Sequence, residues 1–398
     1  MATTETPLWM NKDLLGQWLS KVYGHVTVTD CELKSSSFNT DNYLSDIRRI
    51  EVRTKEGNSY SLLAKCRIDD GAAVSAMRDS SIFAREELLY GTVLPKMHAL
   101  LKEAMPESFD HLAPICFHAS NSLLLMEDMS ASGFKMGDRK EGFDMERSSL
   151  VIRSLARFHA ASVLAYESDP ESVEMLKVSL YHEPESQDKW PEFYAGLINT
   201  VAEEVACWPE EWQPFAEKLR RLAPQEWGKL QQAVQREVGD FNVLAHGDLW
   251  VNNILMTDDA KAVRFVDYQL AYWGSPAIDL HYFLNTSVNL HVRENHVDIL
   301  VQEYHNILCD TLKALGYKKK LITLEELRRQ LDSKIYFAVH AMFGPYAVIQ
   351  SETSSGFNFD ESLETGKNPG PKMLSHNYKE ALKRVLPILE RKGVFRDV

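Results

Sequence analysis

The sequence predicts an α+β protein with a strand-rich N-terminal part and a larger, mainly helical C-terminal part. Three observations support this. Apolar and polar residues alternate between positions 47 and 68, a short apolar run at 123–126 ends in Glu127-Asp128, and helical periodicity dominates from about residue 131. A chain of 398 residues is long enough for two lobes. We therefore expect a small lobe at 1–127 and a larger lobe at 128–398, with a hinge at about 127–130.

The first expected element is an antiparallel β-hairpin between residues 47 and 68. Ile50 and Val52 alternate with polar residues, the sequence KEGN at 55–58 is typical of a turn, and alternation resumes from Tyr60 to Ile68. Because side chains alternate between the two faces of a strand, Lys65 lies on the face opposite the main apolar set.

The next expected element is a helix that begins near residues 79–81. Its apolar stripe includes Ile82, Leu89 and Val93, and Pro95 should stop or kink it. Glu86 falls on this stripe, where a carboxylate is costly unless it is paired. Lys65 on the preceding strand is the obvious partner. Taken alone, Lys65 would be interpreted as an exposed strand lysine and Glu86 as a solvated residue at the edge of the stripe, but their order and spacing favour the pair.

The most informative stretch of the C-terminal part is LAHGDLWVNNILM at residues 244–256. It places His246, Asp248, Asn252 and Asn253 in an otherwise apolar run, although unpaired polar groups are costly to bury. Two short strands flank residues 258–261. If this hairpin is centred near residue 260, Asn253 faces Asp267 at its open end, and Asp248 arrives at the same end.

Two carboxylates and an amide oxygen gathered in this way suit a hard cation such as Mg²⁺. An Asp, an Asn five positions later and a second Asp form an arrangement that phosphotransferases use, in which the first Asp accepts a proton and the other two residues hold metal. The alternative is an Asx-rich turn whose side chains bond to nearby backbone groups. The preceding His-Gly pair and the hairpin favour the phosphotransferase interpretation.

Composition excludes several other classes of partner and chemistry. A net charge of −13 argues against nucleic-acid or acidic-membrane binding. Five scattered cysteines without a C-x-x-C motif indicate reduced thiols, and neither G-x-S-x-G nor a dinucleotide-binding fingerprint occurs. The first residues lack the pattern of a secretory signal, and no apolar run reaches membrane-spanning length. We expect a cytoplasmic protein that needs no nucleic acid, membrane or obligatory protein partner.

A series of motifs in a defined order resembles the ecdysteroid kinase-like family, which is related to choline kinases and aminoglycoside phosphotransferases. The matching stretches are Asn42-Tyr43 with Ser45, AKC around Lys65, F-x-x-E-x-x-x-Y at 83–90, LLLMEDM at 123–129, LARFHAAS at 155–162, HGDLWVNN at 246–253, VDYQ at 266–269 and SPAIDL at 275–280. The resemblance implies a bilobal protein-kinase-like fold and an ATP- and Mg²⁺-dependent kinase for a small-molecule alcohol.

The resemblance also implies roles for individual residues. Asp248 would be the catalytic base, and Asn253 and Asp267 would bind Mg²⁺. The residues implied for ATP are the phosphate-positioning pair Lys65 and Glu86, the first-loop residues Asn42 and Ser45, and the hinge residues Glu127 and Met129. His246 and Asp279 would support the catalytic loop, and a general-base role for His246 is the alternative.

One departure from the family's pattern concerns the phosphate loop. The family usually carries glycine before the Asn-Tyr pair, whereas residues 34–45 read KSSSFNTDNYLS. Glycine allows the backbone to approach phosphate closely. A nucleotide-binding pseudokinase is therefore an alternative to an active enzyme.

Aromatic residues are concentrated near the predicted catalytic loop. Six of the eight tryptophans lie between residues 190 and 273. Aromatic residues around a cleft would suit a bulky apolar acceptor, such as an ecdysteroid or a similar steroid or xenobiotic alcohol. Trp250, Tyr268 and Trp273 are the candidates for that pocket, although core packing explains most aromatic residues. A choline- or aminoglycoside-type acceptor is the alternative, because an acidic, aromatic pocket could also hold a cation.

Overall fold

A computed structural model describes residues 7–34, 45–68, 81–184, 189–351, 358–365 and 370–396. The protein has the predicted α+β class, with an antiparallel sheet in the N-terminal region and helices in the C-terminal region. The sheet has five strands in the order β1-β2-β3-β5-β4, and every neighbouring pair is antiparallel. Its strands are β1 (Val28–Lys34), β2 (Ser45–Thr54), β3 (Ser59–Arg67), β4 (Cys116–Ser120) and β5 (Leu123–Glu127).

The predicted hairpin is formed by β2 and β3. Its turn closes where the Thr54 amide donates to the Asn58 carbonyl, and Gly57 has the positive φ of 84° that favours glycine. Ile50 and Leu62 form a cross-strand pair on the apolar face, which packs against helix α1 (Lys12–Tyr23). Lys65 lies in the middle of the sheet and points to the other face, between β2 and β5.

The helix after this hairpin is continuous but contains a π-helical turn. Helix α2 (Ile82–Leu88) leads into π-helical residues Leu89–Val93 and then into α3 (Leu94–Ala104). Pro95 has no amide hydrogen to donate, and the wider turn before it is closed by the Leu94 amide donating to the Leu89 carbonyl. The predicted interruption at Pro95 is therefore a change of helical pitch.

The C-terminal region is mainly helical. Its longest helix, Met145–Ser168, packs along the helix Val297–Ala314 and contributes buried residues to the main core. The helices are α4 (Met145–Ser168), α5 (Trp190–Ala206), α6 (Gln213–Leu222), α7 (Glu226–Val234), α8 (Ala277–Thr286), α9 (Leu290–Asn295), α10 (Val297–Ala314), α11 (Leu324–Ser333), α12 (Ile335–Phe343), α13 (Pro345–Ile349), α14 (Phe359–Thr365) and α15 (His376–Arg391). Among the described residues, none of the helices is long and apolar enough to cross a membrane.

Two small sheets support the predicted catalytic loop. One pairs β7 (Val243–Ala245) with β10 (Tyr272–Gly274), and the other has the order β6-β8-β9. The strands of the second sheet are β6 (Phe134–Met136), β8 (Ile254–Thr257) and β9 (Val263–Phe265).

The register of the second hairpin differs by one residue from the prediction. Ile254 pairs with Phe265, and the Val266 amide donates to the Asn253 carbonyl at 3.0 Å. Asn253 is therefore opposite Val266 and not opposite Asp267. The reason is the length of the turn, since a four-residue connection at 258–261 is centred between residues 259 and 260.

Candidate active site

The loop after β7 is held by the buried carboxylate of Asp279 on α8. Asp279 Oδ2 accepts a hydrogen bond from the His246 amide at 2.7 Å, and Oδ1 accepts one from the Gly247 amide at 2.8 Å. Gly247 has a φ of 82°, and a Cβ atom there would overlap the carbonyl oxygen of Leu270. Glycine at position 247 therefore allows the tight turn between His246 and Asp248.

Asp279 is in turn anchored to two more helices. His159 on α4 contacts Asp279 Oδ2 through Nε2 at 3.0 Å and the Tyr304 hydroxyl on α10 through Nδ1 at 2.6 Å. All three side chains are completely buried. Burial alone would raise the pKa of Asp279, but the hydrogen bonds from His159 and Gly247 hold that pKa below its usual value.

Both ring nitrogens of His246 are engaged within the site. Nε2 lies 3.0 Å from the Val266 carbonyl, which can only accept, so Nε2 carries the proton. Nδ1 then accepts a hydrogen bond from the Asp248 amide at 3.3 Å. Burial lowers the pKa of His246, which favours this neutral ring. His246 thus connects the Asp248 loop to the segment that carries Asp267.

Asp248 is half-buried and hydrogen-bonded on several sides. Asn253 Nδ2 donates to the Asp248 carbonyl and to its Oδ2 atom, each at 2.9 Å, and the Tyr282 hydroxyl also bonds to this carboxylate. Burial raises the pKa of Asp248 to about 6, and the charge of Asp267 adds to the effect. Asp248 is therefore ionised at neutral pH but is a stronger base than an exposed aspartate.

Lys65 forms a buried bridge between the N-terminal sheet, helix α2 and the segment after β9. Its Nζ lies 2.7 Å from Glu86 Oε2 and 3.0 Å from Asp267 Oδ1. Glu86 Oε1 accepts a hydrogen bond from the Tyr268 amide. Burial raises the pKa of Glu86 to about 7, while for Lys65 the charges of Asp267 and Glu86 outweigh burial and raise the pKa. Lys65 is therefore a charged ammonium group.

The oxygen atoms near Asp267 match the ligand preference of Mg²⁺. Because Asn253 Nδ2 is bonded to Asp248, its Oδ1 is the atom that it can offer to a cation, and Asp267 can offer its carboxylate. In the described part of the chain there is no group of three or more His, Cys, Asp or Glu side chains that could hold a metal. This donor set fits a cation that takes few protein ligands and completes its shell with phosphates and water.

The predicted hinge residues lie at the end of β5. Glu127 is its last residue and Met129 begins a short 3₁₀ turn (Met129–Ser132). Ser45 is the buried first residue of β2, and Asn42 is outside the described residues. The roles of these four residues towards ATP stay predictions.

Asp128, which we did not predict as a site residue, organises the turn at the predicted hinge. Its buried carboxylate accepts hydrogen bonds from Arg49 Nε at 2.7 Å, from the Ser61 hydroxyl at 2.8 Å and from the amide and hydroxyl of Ser130. It thereby joins two strands of the sheet to the turn that follows. Its signal in the sequence was a second carboxylate directly after a wholly apolar strand.

The three aromatic candidates for an acceptor pocket lie in different surroundings. Trp250 is half-buried beside Asp248. Tyr268 is completely buried, with its ring 4.7 Å from that of His246 and stacked on Phe158. Trp273 is buried against Tyr166 at 4.2 Å. We therefore assign Tyr268 and Trp273 to core packing, and only Trp250 stays a pocket candidate.

Arg85 is a second residue that the sequence analysis missed. It is completely buried on α2 next to Glu86. Its guanidinium donates to the Ala271 carbonyl at 2.8 Å, to the Val178 carbonyl at 2.7 Å and to Glu183 Oε1 at 2.7 Å. These partners all belong to the C-terminal region, so Arg85 fastens the helix that carries Glu86 to that region.

We expect Arg85→Lys to destabilise the protein by about 1–3 kcal/mol, because lysine cannot reproduce the forked set of buried hydrogen bonds. Since α2 also positions Glu86 against Lys65, the KM for ATP should rise more than the KM for the acceptor. Urea unfolding and steady-state kinetics measure the two effects. Arg147→Lys, at an exposed pair with Asp144, is the matched control. Unchanged stability and KM for ATP would contradict this role of Arg85.

The antiparallel sheet and the mainly helical region fit the kinase-like fold that the sequence resemblance implies. A family model described as the ecdysteroid kinase-like family matches residues 39–317, which is more than half of the sequence. The chain therefore belongs to the ecdysteroid kinase-like family.

Comparison with solved structures gives weak overall superpositions. A Plasmodium vivax ethanolamine kinase is 12% identical with a TM-score of 0.40, covering 91% of this chain and 84% of its own. A macrolide 2′-phosphotransferase type I is 16% identical with a TM-score of 0.37, covering 91% and 96%. An amicoumacin kinase in complex with AMP-PNP and Ca²⁺ is 14% identical with a TM-score of 0.38, covering 91% and 88%. Comparison with curated protein sequences finds no match.

Proposed function

We propose that the protein transfers the terminal phosphoryl group of ATP to a hydroxyl group of a hydrophobic alcohol, such as an ecdysteroid or a similar steroid or xenobiotic. The observation that carries this proposal is the position of Lys65. One ammonium group contacts Glu86 on α2 and Asp267 after β9, so a phosphate-binding cation lies directly beside a candidate metal ligand. A strand lysine, a helix glutamate and a metal-binding aspartate are the parts that kinases use to hold ATP.

In this proposal Asp248 is the catalytic base. Its carboxylate accepts the proton of the acceptor hydroxyl as the oxygen bonds to the terminal phosphorus of ATP and the bond to ADP breaks. Asn253 holds the carboxylate in place through Nδ2, and His246 fixes the backbone from which it projects. Lys65 would position the α- and β-phosphates, with Glu86 keeping the lysine in place.

Asn253 and Asp267 would hold Mg²⁺, which supplies neutralisation of phosphate charge when it is bound. The hinge at Glu127–Met129 would contact adenine through backbone groups, and Ser45 and Asn42 would belong to the phosphate loop. The Ser45 hydroxyl and backbone N–H groups can donate hydrogen bonds to phosphate oxygens without a glycine in the loop. We therefore retain the active-enzyme interpretation.

The surroundings of Asp248 support an apolar acceptor. Burial raises the pKa values of Tyr181, Tyr194 and Tyr282, and the charge of Asp248 raises each of them further, so these rings lie close to the carboxylate. Trp250 packs against an aromatic cluster near Asp248. The rings of this cluster belong to Tyr181, Trp190, Tyr194, Trp227, Tyr272, Tyr282 and Phe337. Neutral aromatic faces favour a molecule with a large apolar skeleton.

The function can be tested by incubating the protein with Mg-ATP and a panel of ecdysteroids, plant steroids, choline and an aminoglycoside. We expect ADP to form in equal amount to an acceptor that gains the mass of one phosphoryl group, with a steroid as the best substrate. Product from choline or the aminoglycoside alone would support a hydrophilic acceptor instead. Thermal stabilisation by Mg-ATP without product from any acceptor would support a pseudokinase.

A separate prediction concerns the metal. Asp267→Asn should raise the free Mg²⁺ concentration for half-maximal activity by about 10–100-fold, because it removes a charged oxygen ligand while keeping the side-chain shape. Activity measured against buffered Mg²⁺ tests this. Asp259→Asn, in the exposed hairpin turn, is the control. The same Mg²⁺ dependence in Asp267→Asn and the wild type would show that Asp267 is not a metal ligand.

A further inference from the structure

A buried acid–histidine pair lies within the aromatic cluster and has no role in the mechanism above. His340 Nδ1 on α12 lies 2.8 Å from Glu226 Oε1 at the start of α7, and the two side chains are only 1% and 4% exposed. An ionised carboxylate can only accept, so Nδ1 donates. On the other side of the ring, Nε2 lies 3.4 Å from the Tyr181 hydroxyl.

The second oxygen of this carboxylate has no hydrogen-bond partner in the part of the chain that the structure describes. Glu226 Oε2 is buried and has no hydrogen-bond partner among the residues that the structure describes, and the same holds for Trp190 Nε1 in the same cluster. An unmade hydrogen bond on a buried carboxylate destabilises the folded protein. A buried carboxylate oxygen without a partner therefore lowers the stability of the fold unless a ligand supplies the missing hydrogen-bond donor.

Aromatic rings surround this oxygen-bearing pair and extend towards the surface. The Tyr194 ring is 4.6 Å from the His340 ring and stacks on Trp227 at 6.0 Å, with 17° between the planes. The Trp190 ring also stacks on the Tyr194 ring, with 5.9 Å between their centres. Trp190 and Tyr194 are only half-buried, so the aromatic surface reaches from the pair to solvent.

The pair is connected to Asp248 by two aromatic rings. Tyr282, which bonds to the Asp248 carboxylate, lies 6.0 Å from Phe337, and Phe337 lies 5.7 Å from His340. Burial raises the pKa values of Tyr181 and Tyr194, and the negative charges of Asp248 and Glu226 raise them further. The Glu226–His340 pair is therefore near Asp248. The Lys65–Glu86 pair, in contrast, contacts Asp267.

We propose that Glu226, oriented by His340, anchors the acceptor by accepting a hydrogen bond from a second hydroxyl group of a mainly apolar alcohol. This inference rests on the proposed function, in which the first hydroxyl group lies at Asp248. A carboxylate oxygen that lacks a partner among the described residues, and that lies among neutral aromatic rings, matches one O–H donor on an apolar skeleton. A monohydroxy alcohol would leave that oxygen unpaired and bind more weakly.

The test uses the best steroid acceptor and a series of analogues that each lack one hydroxyl group. In the wild type, removal of one particular hydroxyl group other than the phosphorylated one should raise the acceptor KM by about tenfold or more. Glu226→Leu should raise the KM for the full acceptor by a similar factor and abolish the preference for that hydroxyl group. The KM for ATP should change less than about threefold, since ATP does not contact this subsite.

A second variant distinguishes a hydroxyl group from a positive charge. Glutamine can still hydrogen-bond to a hydroxyl group, so Glu226→Gln should change the acceptor KM by less than about threefold. If Glu226→Gln is as defective as Glu226→Leu, the anchor binds a cationic group and the proposal is wrong. Glu192→Gln, at an exposed position on α5, is the control.

Each remaining outcome also has a meaning. If Glu226→Leu is unfolded, which thermal unfolding with Mg-ATP detects, the wild-type analogue series still decides. Turnover that depends on no second hydroxyl group would overturn this inference alone and leave the kinase proposal intact. Absence of turnover on every alcohol would overturn the proposed function itself.

Discussion

Asp248→Asn is expected to lower kcat by about 10²–10⁴-fold, which is the usual contribution of a general base. The amide oxygen can still accept the hydrogen bond that Asn253 Nδ2 donates to Oδ2, so the loop should keep its conformation. What the variant loses is the negative charge and the ability to take a proton. Thermal stabilisation by Mg-ATP should therefore stay close to that of the wild type, and the defect should appear in kcat at saturating substrates.

The matched control is Asp258→Asn, which changes an exposed carboxylate paired with Lys135 in the nearby hairpin turn. It should leave kcat within about twofold, as surface substitutions away from a site usually do. If Asp248→Asn keeps wild-type turnover, Asp248 is not the base. His246 would be a poor replacement, because both of its ring nitrogens are engaged by the Val266 carbonyl and the Asp248 amide.

Local periodicity was sufficient to predict the contact between Lys65 and Glu86. Alternation along β3 indicated the face on which Lys65 lies, and the apolar stripe of α2 indicated that Glu86 is buried. The same stripe contains Arg85, three residues after Ile82, but its partners could not be inferred from local spacing. Val178, Glu183 and Ala271 lie roughly 90–190 positions further along the chain, and only the tertiary fold brings them to the guanidinium.

Two expectations differ from what the structure shows, each for a physical reason. The register of the β8–β9 hairpin depended on the parity of the turn, and a shift of one residue moved the partner of Asn253 from Asp267 to Val266. Tyr268 was considered for the acceptor pocket because aromatic residues are concentrated near the predicted catalytic loop. The Tyr268 ring is completely buried and stacks on Phe158, a contact that depends on the tertiary fold and that local composition does not reveal.

The lobe boundary at about 127–130 stays a prediction, although the structure shows why this stretch is a defined turn. Asp128 collects hydrogen bonds from β2, β3 and the following 3₁₀ turn. A sequence pattern reveals a carboxylate after a buried strand, but it does not reveal the donors that justify its burial. Those donors, Arg49 on β2 and Ser61 on β3, lie 79 and 67 positions before Asp128, and only the folded sheet brings them to it.

Asp279→Asn should lower the free energy of unfolding by about 3–5 kcal/mol, since it removes one member of a buried, hydrogen-bonded polar group. The carboxylate accepts hydrogen bonds from the His246 amide, the Gly247 amide and His159. Asparagine offers one oxygen, so at least one buried donor would face an amide N–H₂ group. Urea unfolding should show a lower midpoint with an unchanged slope. Asp332→Asn, in an exposed pair with Lys392, should change stability by less than about 0.5 kcal/mol.

The pH dependence of this loss follows from the lowered pKa of Asp279. Because the folded-state pKa lies below the usual value of 3.8, the carboxylate stabilises the fold above that pH, and the contribution is lost as the pH falls through the folded-state pKa. The difference between wild type and Asp279→Asn should therefore be constant near neutral pH and shrink in acid. Turnover should fall as well, because the His246–Gly247 amides that Asp279 holds lead directly to Asp248. Normal stability in Asp279→Asn would mean that the loop is held by its glycine turn and not by this carboxylate.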